Sequence, residues 1–154
     1  MGEAGMAQAD VQRDRPVLLV VEDDFLVRLT LADGLTEAGF TVLEAGDAQA
    51  ALALLVTRRD ILAMLTDINL PGEADGYALA RAARVLRPDL PVVYASGRHG
   101  AMAAARAVPG ARFLAKPFTA ALAARVLRET LGRHSGGGPP GTPGAPGAAG
   151  TPPP

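Results

Sequence analysis

Residues 16–24 read Pro-Val-Leu-Leu-Val-Val-Glu-Asp-Asp, an aliphatic run that stops at a cluster of acidic residues. The run 17–21 carries no polar residue on either face, which is typical of a β-strand buried on both sides of a parallel sheet. The acidic residues follow directly, and parallel sheets place their binding sites beyond the carboxyl ends of the strands. This stretch therefore predicts a class of fold and the place of a site within it.

Outward from this run, strand-like and helix-like segments alternate along the chain. The strand-like segments are short and aliphatic, whereas the helix-like segments have helical apolar spacing and end near Gly or Pro. The predicted strands are 17–21, 40–43, 61–66, 91–95 and 112–115, and the predicted helices are 25–38, 48–56, 76–86, 101–107 and 120–132. Five successive β-α units predict an α/β fold, a doubly wound parallel five-stranded sheet with helices on both faces.

The helix boundaries and faces follow from local chemistry. Leu26, Leu29 or Thr30, and Leu35 are predicted to form the packed face of the first helix, which ends at Gly39. The second and last helices are each preceded by a residue that caps a helix well. These predicted N-caps are Asp47 and Thr119.

Composition excludes several functional classes. Hydrophobic residues make up 49% of the chain and aromatic residues only 4%, so the core must be aliphatic. A formal net charge of −1 gives no electrostatic basis for binding nucleic acid or a membrane surface. The absence of cysteine rules out disulfides, thiolate metal sites and a Cys nucleophile. No apolar run approaches the roughly 18 residues of a membrane span, and a cytoplasmic protein is predicted.

The two ends differ in composition from the rest. Residues 1–15 lack apolar periodicity, and 134–154 consist almost entirely of Gly, Pro, Ala and Thr. Such segments bury too little apolar surface to offset the entropy of ordering, so both are predicted to be disordered around one folded domain, 16–133. The tail is either dispensable or a proline-rich docking arm. It contains no helix-turn-helix pattern and no basic patch, which argues against a DNA-binding unit.

Functional groups follow four of the predicted strands. Glu22 and Asp23 follow the first strand, Asp67 the third, Ser96 the fourth and Lys116 the fifth. Clustered carboxylates resist ionisation unless a cation compensates them, and Mg²⁺ prefers oxygen ligands of this kind. An incoming phosphoryl group would meet a metal ion, an ammonium group and a hydroxyl group around Asp67. This arrangement suits formation of an acyl phosphate on an aspartate nucleophile.

Four motifs, each at the end of a predicted strand, make the pattern specific. They are Val-Val-Glu-Asp-Asp (20–24), Thr-Asp-Ile-Asn-Leu-Pro-Gly (66–72), Tyr-Ala-Ser-Gly (94–97) and Phe-Leu-Ala-Lys-Pro-Phe (113–118). With these motifs the chain resembles the receiver domain of two-component response regulators. The sequences Asp-x-Asn-Leu and Ala-Ser-Gly within the motifs are also similar to those of stand-alone regulators of alphaproteobacteria. The resemblance implies a flavodoxin-like strand order, 2-1-3-4-5.

The resemblance also implies roles for the matched residues. Asp67 would accept the phosphoryl group and Lys116 would bind it. The residues implied as Mg²⁺ ligands each contribute an oxygen atom. They are Glu22, Asp23, Asp67 and, through its backbone carbonyl, Asn69.

Two further residues are implied in switching. Ser96 would move toward the phosphoryl group, and Phe113 would turn into the space that Ser96 vacates. This movement would alter the face formed by the fourth helix, the fifth strand and the last helix. The bond between Lys116 and Pro117 is expected to be cis, as in relatives.

The implied function is a single-domain response regulator rather than an enzyme. It would receive the phosphoryl group from a sensor histidine kinase or a phosphotransfer protein. It would then signal to a downstream protein or act as a phosphate sink, as a monomer or weak homodimer.

Arg98 is either a surface residue or, with Asn69, a modulator of hydrolysis of the phosphoryl group.

Other functions remain as alternatives. An unphosphorylated pseudo-receiver that serves as a binding module would have the same fold, although the acidic pair, acceptor and lysine are all kept. A haloacid-dehalogenase-like phosphatase would need an Asp-x-Asp pattern after the first strand, where this chain has Glu22, Asp23 and Asp24. A receiver cut from a DNA-binding regulator is the third alternative.

Overall fold

The computed structural model describes residues 15–97 and 105–136. In this part of the chain, five parallel strands form one sheet in the order β2-β1-β3-β4-β5. The strands are β1 (Val17–Val21), β2 (Thr41–Ala45), β3 (Ile61–Asp67), β4 (Val92–Ser96) and β5 (Arg112–Ala115); the helices are α1 (Phe25–Glu37), α2 (Ala48–Thr57), α3 (Gly76–Leu86) and α4 (Ala120–Gly136). The predicted α/β class and strand order 2-1-3-4-5 are confirmed.

Two apolar layers, one on each face of the sheet, form the core. Alternate residues of β1 point to opposite faces, so Leu19 packs with α2 and α3 while Leu18 packs with α1 and α4. The layers consist mainly of Leu, Val, Ile and Ala, as the composition predicted. The strand order reverses between β1 and β3, and their carboxyl ends border the crevice where such sheets place their ligands.

Several boundaries differ from the predicted ones by one to four residues. Asp67 and Ser96 are the last residues of β3 and β4 instead of following them. Asp67 pairs in register with Ala95, so sheet hydrogen bonds hold its backbone. Asp47 and Thr119 cap their helices as predicted, accepting hydrogen bonds from Ala50 N at 2.8 Å and Leu122 N at 3.0 Å.

The predicted packed face of α1 is partly wrong. Leu35 is buried as expected, but the side chain of Leu26 is 69% exposed and Leu29 is also exposed. The buried residues are instead Leu31, Ala32 and Leu35. The first turn of α1 lies beside the crevice at the sheet edge, so the helix reaches the apolar strands only one turn later.

Some predictions fall outside the described residues. These are the N-terminal segment 1–14, Arg98 and the part of the fourth predicted helix up to 104. Within 105–107, only a short 3₁₀ turn is present. The last helix continues to Gly136, four residues beyond its predicted end, and the tail 137–154 lies outside the described part of the chain.

Two buried tyrosines provide a matched test of this packing. Tyr94 Oη accepts a hydrogen bond from Val108 N at 3.1 Å, whereas Tyr77 Oη is buried without a partner among the described residues. We expect Tyr94→Phe to lower the free energy of unfolding by about 1–2 kcal/mol, because it leaves the Val108 N–H unsatisfied. Tyr77→Phe should change it by less than about 0.5 kcal/mol. Urea unfolding of both variants checks the prediction, and equal losses would contradict it.

Candidate functional site

Three carboxylates meet at the carboxyl edge of the sheet. Glu22 and Asp23 lie in the loop after β1, and Asp67 ends the neighbouring strand β3. One carboxylate oxygen from each lies within 4.8 Å of the others. Glu22 and Asp67 are buried while Asp23 is exposed, so the cluster is open to solvent on one side. The structure thus brings together the acidic residues that the sequence predicted.

Lys116 supplies a positive charge to this cluster. Its Nζ lies 3.0 Å from Asp67 Oδ2 and 3.5 Å from Glu22 Oε1. The backbone holds it there, because Lys116 N donates to Ser96 O at 2.8 Å and joins the ends of β5 and β4. The peptide bond between Lys116 and Pro117 is cis, as expected.

Asp24 has a different role from the two acidic residues before it. Its Oδ1 accepts a hydrogen bond from Val27 N at 3.0 Å, so Asp24 is the N-cap of α1. Its own backbone N donates to Glu22 Oε2 at 3.0 Å. Asp24 thereby starts the helix and fixes the Glu22 side chain at the edge of the site.

The charges of Glu22 and Lys116 respond to this environment. Burial raises the pKa of the Glu22 carboxyl, against the hydrogen bond from Asp24 N, and the charge of Asp67 raises it further. Burial alone would lower the pKa of Lys116, but the hydrogen bond and charge of Asp67, together with Glu22, raise it above its ordinary value. Lys116 therefore stays an ammonium ion at neutral pH.

The loop after Asp67 is held close to its strand. Asn69 N donates to Asp67 Oδ1 at 3.3 Å, and Gly76 N donates to Ile68 O at 2.6 Å. A Cβ atom at Gly76 would lie 2.2 Å from the carbonyl oxygen of Asp67, so only glycine allows α3 to start there. Sequence analysis missed this residue, although a glycine that begins a helix was a possible signal.

The two residues implied in switching lie on adjacent strands. Ser96 is buried at the end of β4, whereas Phe113 in β5 is exposed. The Phe113 ring packs at a tilt against Tyr94 with 5.2 Å between centroids, and Tyr94 packs at a tilt against Tyr77 at 5.0 Å. The three rings form a continuous aromatic row from β5 to α3, and Tyr94 is fully buried in the core.

A cleft of about 640 Å³ opens at this edge of the sheet, lined by all three carboxylates, Lys116 and Asn69. The donor set suits a hard divalent cation, because three oxygen-bearing side chains converge and, among the described residues, Lys116 is the one ammonium group in contact with them. The residues present therefore fit a Mg²⁺ ion.

Comparison with known proteins identifies the family. The family model for the response regulator receiver domain matches residues 18–127. This chain belongs to the response regulator receiver domains. Apart from Val17, the match covers all five strands, and it includes the first half of α4 together with every residue of the site described above.

Known receiver domains resemble this one in sequence and structure. The chemotaxis protein CheY homolog of Campylobacter jejuni is 31% identical over 126 residues, covering 79% of this chain and 96% of that protein. A receiver protein of Sinorhizobium medicae superposes with a TM-score of 0.73 at 30% identity, covering 79% of this chain and 98% of the other.

Longer regulators match this receiver domain over only part of their length. The response regulator protein FleR of Pseudomonas aeruginosa is 35% identical over 130 residues, covering 81% of this chain. The chain spans about a quarter of the length of FleR and of the dicarboxylate transport regulator DctD of Rhizobium meliloti.

None of the helices in residues 15–97 and 105–136 is both long and apolar enough to span a bilayer.

Proposed function

We propose that this receiver domain accepts a phosphoryl group on Asp67 from the phosphohistidine of a sensor kinase or phosphotransfer protein. The observation that carries the proposal is the 3.0 Å contact between Lys116 Nζ and Asp67 Oδ2 inside a cluster of three carboxylates. A buried aspartate without such neighbours would serve a structural role. Asp67 instead contacts the Lys116 ammonium group and lies beside two further carboxylates, which suits a nucleophile that works with a bound metal cation.

The residues divide the chemistry between them. A carboxylate oxygen of Asp67 attacks the phosphorus atom, and the bond from phosphorus to the donor nitrogen breaks, leaving an acyl phosphate. Glu22, Asp23, Asp67 and the backbone carbonyl of Asn69 would hold Mg²⁺, and the ion would supply positive charge to offset that of the transferring phosphoryl oxygens. Lys116, already at the carboxylate, would exchange its contact with Asp67 for one with a phosphoryl oxygen.

The response to phosphorylation would begin at Ser96. Its hydroxyl would donate to a phosphoryl oxygen, and Phe113 would turn inward along β5. Phosphorylation shifts the balance between the two arrangements only by its differential affinity for them. The output would be contact with a downstream protein in the cytoplasm, or withdrawal of phosphoryl groups from a shared pathway. The domain would act as a monomer or weak homodimer and not as an enzyme on other substrates.

A direct test is phosphorylation of the purified chain by a small phosphodonor, followed by intact-mass spectrometry with and without Mg²⁺. We expect the mass of one phosphoryl group to be added in Mg²⁺ and lost on treatment with hydroxylamine, which cleaves acyl phosphates. A folded chain that no small donor or kinase labels would contradict the proposal. That outcome would favour the pseudo-receiver, a binding module that is never phosphorylated.

Mg²⁺ should also stabilise the protein before any phosphorylation. Binding to the folded state alone adds about 1.4 kcal/mol to the free energy of unfolding when the free ion exceeds its dissociation constant tenfold. We expect this gain in urea unfolding with Mg²⁺ against EDTA, and its loss in Asp23→Asn. Asp33→Asn, on the exposed side of α1, is the matched control and should keep the gain. An equal gain in both variants would place the ion elsewhere.

A further inference from the structure

Arg28 is the one cation of α1 that reaches back to the loop carrying the acidic pair. Its Nη1 donates to the backbone carbonyl of Glu22 at 2.7 Å, and its Nε donates to Glu44 Oε1 at 3.1 Å. The guanidinium also covers the ring of Phe25, with its carbon 5.5 Å from the centroid. One side chain thus connects the β1–α1 loop, the end of β2 and the first turn of α1.

This arrangement is well constrained. The side chain of Arg28 is only 16% exposed and that of its partner Glu44 is 34% exposed, so the ion pair is partly shielded from solvent. Gly46 leaves room for the guanidinium, since a Cβ atom there would lie 3.2 Å from Nη1. A planar guanidinium with several donors can hold a carbonyl and a carboxylate together, which a lysine ammonium does less well.

The loop needs such a support because its side chains repel one another. Glu22 and Asp23 must stay beside Asp67, and three carboxylates within 4.8 Å repel one another. Lys116 offsets this repulsion through direct contacts with Glu22 and Asp67. Glu22 N already donates to Ala45 O at 3.1 Å, which holds one side of its backbone. The bond from Arg28 to the Glu22 carbonyl holds the next peptide unit, the one that leads into Asp23.

We propose that Arg28 is a positioning residue for the metal site, fixing the backbone at Glu22 so that the acidic pair faces Asp67. Arg28 contacts the Glu22 carbonyl and not the three clustered carboxylates, and its charge is paired with Glu44. It acts on Mg²⁺ affinity through loop geometry, and Glu44 holds it in place. The inference rests on the proposed Mg²⁺ site.

The sign of the effect separates geometry from electrostatics. Removing a positive charge near a cation site would strengthen Mg²⁺ binding if charge alone mattered. Loss of a group that orients metal ligands instead weakens affinity, by about tenfold or more. Arg28→Gln is therefore expected to raise the Mg²⁺ dissociation constant about tenfold. Glu44→Gln should raise it in the same direction by less, and Arg28→Lys should recover part of the loss.

The experiment is a calorimetric Mg²⁺ titration of the full chain and these variants, with folding checked by circular dichroism. Arg58→Gln is the control for the chemical change, because Arg58 also pairs with a carboxylate, that of Asp60 at 2.9 Å, in a more exposed place after α2 and remote from the site. A second readout is amide hydrogen exchange in EDTA, which Arg28→Gln should accelerate at Asp23 and Asp24 with little change in β3.

The outcomes are distinct. Unchanged or tighter Mg²⁺ binding by Arg28→Gln, with normal binding by the wild type, would overturn the positioning role and leave the proposed function intact. A wild type that binds no Mg²⁺ would overturn both the metal site and the positioning role. A loss of affinity in Arg58→Gln equal to that in Arg28→Gln would show a general effect of lost stability, and would also contradict the inference.

Discussion

Replacing Asp67 with asparagine is expected to abolish phosphoryl labelling while leaving the domain folded. The amide has the same shape as the carboxylate but is not a nucleophile toward phosphorus, so no acyl phosphate forms. The change also removes one of three clustered carboxylates, which relieves repulsion at the site. A loss of at least a hundredfold in the labelling rate is a lower bound, on the order of what removal of a principal catalytic group causes.

The measurement is the intact mass of Asp67→Asn after exposure to a small phosphodonor in Mg²⁺. Asp33→Asn is the control, since it makes the same chemical change on the exposed side of α1. Peptide mapping then assigns the labelled residue in the wild type. Normal labelling of Asp67→Asn would mean that another residue carries the phosphoryl group.

Gly76→Ala is expected to cause the largest loss of stability among the single changes considered. The added methyl group would lie 2.2 Å from the carbonyl oxygen of Asp67 and 2.8 Å from the Cα atom of Ile68. Both are backbone atoms next to a buried strand, so neither can move without displacing the acceptor loop. We expect a loss of about 3 kcal/mol in the free energy of unfolding, at the upper end for overpacking, and slower labelling of Asp67.

Gly132→Ala makes the same change at a position where it should raise the stability of the protein. Gly132 lies inside α4, and a Cβ atom there meets no other atom within 4 Å. Alanine in a helix interior is favoured over glycine by roughly 0.5–1 kcal/mol, so this variant should be more stable than the wild type. Urea unfolding of both variants provides the comparison. A neutral Gly76→Ala would mean that α3 does not approach Asp67 this closely.

Much of the fold was predictable because buried parallel strands are unbroken aliphatic runs. Val17–Val21 and Arg112–Ala115 were predicted with their observed bounds. The convergence of Glu22, Asp23 and Asp67 followed from strand ends meeting at one edge of the sheet. A periodic pattern and a parallel topology were sufficient to predict these contacts.

The packed face of α1 was harder to predict for a physical reason. Phe25, Leu26, Val27 and Leu29 place apolar side chains all around the first half of the helix, so Arg28 and Thr30 alone do not define a polar face that would show its orientation. The role of Arg28 was equally hidden, because no sequence pattern indicates that a guanidinium turns back to a backbone carbonyl. The roles of Ser96, Asn69 and Phe113 in switching and metal binding stay predictions.

The aromatic row of Tyr77, Tyr94 and Phe113 has a practical consequence for observing this protein at work. The chain has no tryptophan and only two tyrosines, and both tyrosines lie in that row. Its tyrosine fluorescence therefore comes only from Tyr94, on the strand that ends at Ser96, and Tyr77, which packs against Tyr94. A movement of Phe113 against Tyr94 would change the surroundings of this tyrosine, so switching can be followed by tyrosine fluorescence on the unlabelled chain.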